Sequence, residues 1–237
     1  MASLNPITGV LGKQKAAHLL RRATMGPRLQ DITAFSLLDV DAAIAQLIQP
    51  QTPPNFPVDP NTVTTWIAPN LPDPTQMVDV WSGYTKSWWL ETMRSSGPNL
   101  TERMVWFYHT HIPIILSRVS WCPQLAIDYL RLLRTHALGN YKDLVKAICI
   151  DNAMLIHLDG HLNVKGAPQE NFGREFLELF TVGKDGGAKY MEEDVKAAAK
   201  VLTGWRIDAN FNSVFDSTRH DTTNKTFSAF YNNTVIT

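Results

Sequence analysis

The chain has 237 residues, 44% of them hydrophobic and 19% charged, and its 22 basic and 22 acidic side chains cancel to a net charge of +0. A chain of this size buries roughly 70% of its unfolded surface, so disorder, a collagen-like repeat and a disulfide scaffold are excluded. Neutrality leaves no global field toward nucleic acid, and none is expected as a partner.

Helical periodicity runs through the first 200 residues. Residues 13–24 place Ala16, Ala17, Leu19 and Leu20 on one side and stop at Met25-Gly26-Pro27. Residues 28–38 and 40–49 read as two more short helices, with Asp39 placed to cap the second. Residues 50–74 then carry eight prolines, which no helix accommodates, so an extended connection is predicted. The ~50 residues before it are few for independent folding. One domain is therefore expected, with residues 1–49 as a helical subdomain packed on a helical core of residues 75–203 and an irregular or hairpin tail over 204–237.

Residues 75–96 form a long predicted helix striped with Met77, Val80, Trp81, Tyr84, Trp88, Trp89 and Met93. Such a stripe reads as core, with a ligand groove as its alternative. Residues 100–111 follow, closed by Ile112-Pro113 because a residue before proline avoids helical dihedrals. Helices over 123–138, with Pro123 in its first turn, and over 141–151 come next. A polar loop over 159–169 leads into an amphipathic helix over 170–182, and a final helix covers 192–203. After Gly204, β-branched and aromatic residues alternate with turn formers, predicting a small hairpin and an irregular tail. The expected class is thus all-α with a minor β element.

Cys122 and Cys149 lie in apolar stretches without C-x-x-C or zinc spacing, so buried reduced thiols are expected. No apolar run reaches the ~18 residues of a membrane span. Residues 1–15 lack a basic region followed by an apolar one, on which ground a cytoplasmic location is expected.

The candidate chemistry concentrates in three places. On helix 170–182, Glu170, Asn171, Arg174, Glu175 and Glu178 form one polar arc opposite Phe172, Phe176, Leu177, Leu179 and Phe180. Glu170–Arg174 and Arg174–Glu178 are i,i+4 pairs, so a solvated ladder is one reading and a carboxylate–Arg pocket for acid–base or metal chemistry the other. Lys165, in the Gly-containing turn before this helix, could contact an anion at its N-terminus. His109 and His111 end helix 100–111. Residues i and i+2 diverge by ~200° on a regular helix, so they converge on a metal only if Pro113 distorts the last turn. His220-Asp221, in the tail, is a site candidate or a simple turn.

Taken together, these motifs resemble one family. Leu19-Leu20-Arg21-Arg22-Ala23-Thr24-Met25-Gly26-Pro27, Phe107-Tyr108-His109-Thr110-His111, Asp151-Asn152-Ala153-Met154 and Leu158-Asp159 occur in its order. So do Lys165-Gly166-Ala167-Pro168-Gln169-Glu170-Asn171-Phe172-Gly173-Arg174-Glu175, Glu178-Leu179-Phe180-Thr181-Val182-Gly183, Glu193-Asp194-Val195, Leu202-Thr203-Gly204-Trp205 and the tail His220-Asp221 with Lys225. The chain is similar, from about residue 13 onward, to the bacterial "domain of unknown function 1800" family. That resemblance implies a helical protein with no established activity, members about twice this length, and frequent export beside alkaline-phosphatase-like proteins. Export is therefore the alternative location. The chain departs from the family pattern at Tyr108, Thr110 and Ile112, at Gln169, where Asn is frequent, and at Met191, where a capping Thr is frequent.

Two functions follow as expectations. One is a structural or interaction module with an internal His/Glu/Arg network and a protein partner. The alternative is an enzyme, such as a metal-assisted hydrolase, using His109, His111, Glu170, Asn171, Arg174 and Glu175 with the tail His220 and Asp221. Metal, cofactor and oligomeric state are left open. Two structural expectations accompany them. Loop 159–169 and helix 170–182 should dock on the end of helix 100–111, and Arg174 should be buried against Glu170, Glu175 or an aspartate of 151–161.

Overall fold

A computed structural model of the chain describes residues 7–58, 63, 65, 78–119, 122–184, 187 and 189–237. Met77 and most of the proline-rich connection, residues 59–62, 64 and 66–74, lie outside them. Helix covers more than half of the described residues, as the 3.6-residue pattern predicts.

Three short helices, α1 (Gly12–Ala23), α2 (Leu29–Phe35) and α3 (Val40–Leu47), close around a core of their own made of Leu11, Ala16, Leu20, Phe35, Ala43 and Leu47. Asp39 caps α3 as expected, its carboxylate accepting the Ala42 N–H at 2.8 Å. Residues 51–57 hold no regular secondary structure and contact the helices that follow. The Asn55 carbonyl accepts from the Trp88 indole at 2.8 Å, and the Arg131 guanidinium stands 4.2 Å over the Phe56 ring.

The larger core belongs to α4 (Val78–Ser95), α5 (Thr101–His111), α6 (Leu116–Val119), α7 (Pro123–His136), α8 (Tyr141–Ile148) and α9 (Asn152–His157). Helix α7 is central, with Leu125, Ala126, Ile127, Tyr129, Leu130 and Leu133 all buried, and α4, α5, α6, α8 and α9 pack around it. A bidentate ion pair between Glu102 and Arg134, at 2.5 and 2.9 Å with both side chains 4% exposed, fastens α5 to α7.

The helix expected over 141–151 ends at Ile148, and a separate short helix, α9, follows from Asn152. Asp151 caps α9, its carboxylate accepting the Met154 N–H at 2.9 Å. The expected helix over 170–182 changes character midway. Helix α10 (Glu170–Glu175) passes into a π-helical turn over Phe176–Thr181, in which the Val182 N–H reaches back to the Leu177 carbonyl and the Thr181 hydroxyl to that of Phe176. Helix α11 (Glu192–Val201) lies directly on α10. At their crossing a Cβ on Gly173 would meet the Val195 carbonyl oxygen at 3.1 Å and the Ala199 nitrogen at 3.3 Å, so the two backbones touch there.

The tail holds two small antiparallel pairs instead of one hairpin: β1 (Trp205–Ile207) with β2 (Ser213–Phe215), and β3 (Lys225–Thr226) with β4 (Val235–Ile236). Gly204 opens the tail at φ +95°, with its N–H on the Asn163 carbonyl and its own carbonyl accepting from Asp216. Both cysteines are unpaired; Cys122 is buried, and burial pushes the half-buried Cys149 thiol up to about 12.

Candidate functional site

The two histidines part. Helix α5 stays regular through His111, so the ~200° divergence of i and i+2 holds and Pro113 does not bring the rings together. His109 packs edge-on to Trp89 with ring centroids 4.9 Å apart, and lies 6.2 Å from Tyr129. Its Nδ1 is buried without a hydrogen-bond partner, and desolvation holds its pKa below the usual imidazole value. These groups line a cavity of about 250 Å³ with Ile114, Leu116, Ala126 and Leu130. His111 instead stacks on Phe107 and approaches Tyr141, with its Nε2 3.3 Å from the Phe180 carbonyl. The Tyr141 hydroxyl donates to the same oxygen. That carbonyl belongs to the π-helical turn, so helix segment 170–181 does dock on the end of α5, through its last turn.

The loop ahead of it docks elsewhere. Asn163, buried to 1% exposure, donates from Nδ2 to the Ala199 carbonyl at 2.8 Å and accepts the Gln169 N–H at 2.9 Å. The Lys165 N–H meets the Arg219 carbonyl, and His161 Nδ1 lies 2.9 Å from the Leu155 carbonyl. The loop is therefore tied to α9, α11 and the tail. The Lys165 side chain is exposed, and the first turn of the short α10 already carries the Glu170 carboxylate.

Arg174 is half-exposed, against the expectation of burial, with a side-chain exposure of 37%. It forks onto Glu192 of α11 at 2.6 and 3.0 Å, and lies 3.4 Å from Glu170 and 3.7 Å from Glu178. The hydrogen bonds to Glu192, then the surrounding carboxylates, raise its pKa further. Sequence spacing finds the two i,i+4 partners, but Glu192 comes from the next helix. The close backbone contact at Gly173 is what carries it within reach. Lys184 completes the row on Glu178 at 2.9 Å. Asn171 is exposed and Glu175 half-buried, and neither is drawn into this fork.

The tail pair seats on the end of α11. His220 Nδ1 lies 2.8 Å from the Thr203 carbonyl, and the Asp221 N–H donates to the Thr203 hydroxyl at 2.8 Å. The Asp221 carboxylate accepts from the Thr223 hydroxyl and N–H, which holds its pKa below the ordinary carboxylate range. Nearby, fully buried Asp194 accepts from the Met191 N–H, the Ser228 N–H and the Ser228 hydroxyl at 2.6–2.8 Å. Its bond to the Met191 N–H is one half of a capping box, whose other half would be the hydroxyl of the missing Thr. The contacts of Asn163, Thr203, Asp194 and Glu102 all span long sequence separations, and no local spacing announces them. Among the described residues, no three His, Cys, Asp or Glu side chains stand where they could hold a metal ion.

The fold is thus a mainly α-helical protein with a β-paired tail, its polar motif residues knitting the last helices together. Residues 18–234 match the family model described as "Protein of unknown function (DUF1800)", and the chain belongs to that family. No curated protein and no solved structure matches it. No described helix is long and apolar enough to cross a membrane.

Proposed function

We propose that this chain is a non-catalytic helical module that presents its surface to a protein partner, its family motifs serving as an internal hydrogen-bonded frame. The observation that carries the reading is the dispersal of the motif residues over separate places. His109 faces a cavity beside Trp89, His111 meets the Phe180 carbonyl, Arg174 grips α10 and α11 together, and His220 and Asp221 sit on Thr203. An acid–base or metal-assisted reaction needs its groups within about 3 Å of one reacting atom, and these groups answer to different neighbours. Asn163, Asp194 and Thr203 instead each join segments far apart in the chain, which is what a frame requires.

Elemental analysis of the purified protein, after dialysis against metal-free buffer, tests the reading. The frame predicts no stoichiometric metal and unchanged thermal stability with a chelator. One retained equivalent of zinc, manganese or iron, lost together with folded stability in His109→Ala, would overturn it.

A further inference from the structure

The cavity between α4, α5 and α7 has properties that the frame does not use. Its volume is about 250 Å³, and its walls are mainly apolar: Ile114, Leu116, Ala126 and Leu130, with the rings of Trp89 and Tyr129. An apolar cavity of ~150 Å³ accommodates benzene, so this one takes a molecule of about ten non-hydrogen atoms. Two of its lining side chains carry buried ring nitrogens with no hydrogen-bond partner: Trp89 Nε1 and His109 Nδ1. Buried polar atoms are nearly always paired, and two orphans bordering one cavity form a rare combination. The indole nitrogen can only donate. The His109 ring can donate from Nδ1 in one of its neutral tautomers. The Tyr129 hydroxyl is already committed to the Ile112 carbonyl and does not compete. Lys86, the exposed member of the lining, adds a cation to it.

Two unpartnered donors and one exposed cation among otherwise apolar walls, with room for one ring, define the chemistry of an occupant. We infer that this cavity binds a small monocyclic aromatic carboxylate, its ring among Ile114, Ala126 and Leu130 and its carboxylate accepting from Trp89 and His109 under Lys86. The walls match the ring in size, and a carboxylate accepts two donors at once. A protonated amine of the same size would set a cation against Lys86 and offer no acceptor to either nitrogen. A non-catalytic module can hold such a ligand as readily as an enzyme can, so this inference stands apart from the proposed function.

The test titrates the purified full chain with phenylacetate, with toluene and with phenethylamine, by calorimetry and by ligand-observed NMR. Phenylacetate should bind with 1:1 saturation in the sub-millimolar range that a ligand of this size reaches. Phenethylamine should bind at least tenfold more weakly, and toluene should fall between them. Trp89→Phe keeps a ring but removes the donor, and should weaken phenylacetate about tenfold, as the loss of a hydrogen bond to a charged group does. Lys86→Gln, on an exposed side chain that leaves the fold undisturbed, should narrow the gap between phenylacetate and toluene. Ala126→Met fills the cavity and should abolish binding of both while leaving the helical circular-dichroism signal intact. Absence of saturable phenylacetate binding by the parent overturns the inference. So does amine binding as tight as that of the acid, or acid binding indifferent to both Trp89→Phe and Lys86→Gln.

Discussion

Asp151 caps α9 while almost wholly withdrawn from water, and desolvation pushes its pKa up to about 7. Between an unfolded value near 3.8 and that folded value, the native state holds a proton that the unfolded chain releases. Stability therefore falls as pH rises through this window, by about 1.4 kcal/mol per pH unit, and levels off above 7. Desolvation raises Asp128 as well and adds to the same slope, whereas His109 and His157, with lowered values, contribute the opposite one. Asp151→Asn isolates the effect, since asparagine caps as well as aspartate but does not titrate. Urea midpoints between pH 5 and 8 should show the variant gaining on the parent steadily up to pH 7. Parallel pH profiles would show that Asp151 is not the titrating group. A second contrast concerns two arginines. Half-exposed Arg174 should cost about 1 kcal/mol or less on mutation to Ala, fading with salt. Glu102→Ala strands the buried Arg134 and should cost about 3–5 kcal/mol at any ionic strength. Equal urea midpoints for the two variants would contradict this ranking, which follows burial and not the number of charges in each cluster.

Helix pairing turns on a single missing side chain. Gly173 lets α10 lie against α11 backbone to backbone, and that approach is what delivers Glu192 to Arg174. Two opposing terms decide the effect of Gly173→Ala. Helix propensity favours alanine by up to about 1 kcal/mol. Against it, the new methyl meets backbone atoms at 3.1–3.3 Å, and overpacking of that kind costs about 1–3 kcal/mol. Backbone cannot rotate aside, so a net loss of stability is expected, with the Arg174–Glu192 fork stretched. An alanine variant with a higher melting temperature would mean that the helices separate freely. The π-helical turn that follows belongs to the same scale. It turns the Phe180 carbonyl to His111 and Tyr141, a connection that an i,i+4 pattern read along residues 170–182 cannot reveal.

Across the whole molecule, what was legible in the sequence is what depends on local pattern. The mainly helical class, the Asp39 cap, the stops at Gly26-Pro27 and Pro113 and the divergence of His109 from His111 all follow from spacing and turn chemistry. The fork of Arg174 onto Glu192 was not legible, because that partner comes from the next helix, while the Asp151 cap and the π turn rest on local bonds that an i,i+4 reading passes over. The Glu102–Arg134 pair was equally hidden, since its partners are 32 residues apart on separate helices. Long-range packing also separates two cores. The one inside α1–α3 has Leu20 and Phe35 at its centre, while the one around α7 has Tyr129 and Leu133. The first meets the second at the end of α3, where the Leu100 N–H donates to the Leu47 carbonyl and Asn99 Nδ2 to that of Gln49. A small core offers less buried apolar area to resist opening, so it should open as a unit below the global unfolding free energy. In native-state hydrogen exchange, the amides of Leu20 and Phe35 should exchange through a lower-energy opening than those of Tyr129 and Leu133. Asn99→Ala should lower that opening further and leave the α7 amides unmoved, because its side chain bonds to Gln49 and to the Thr101 N–H at the start of α5 but not to α7. A single opening energy shared by both sets of amides would mean that the two cores unfold together.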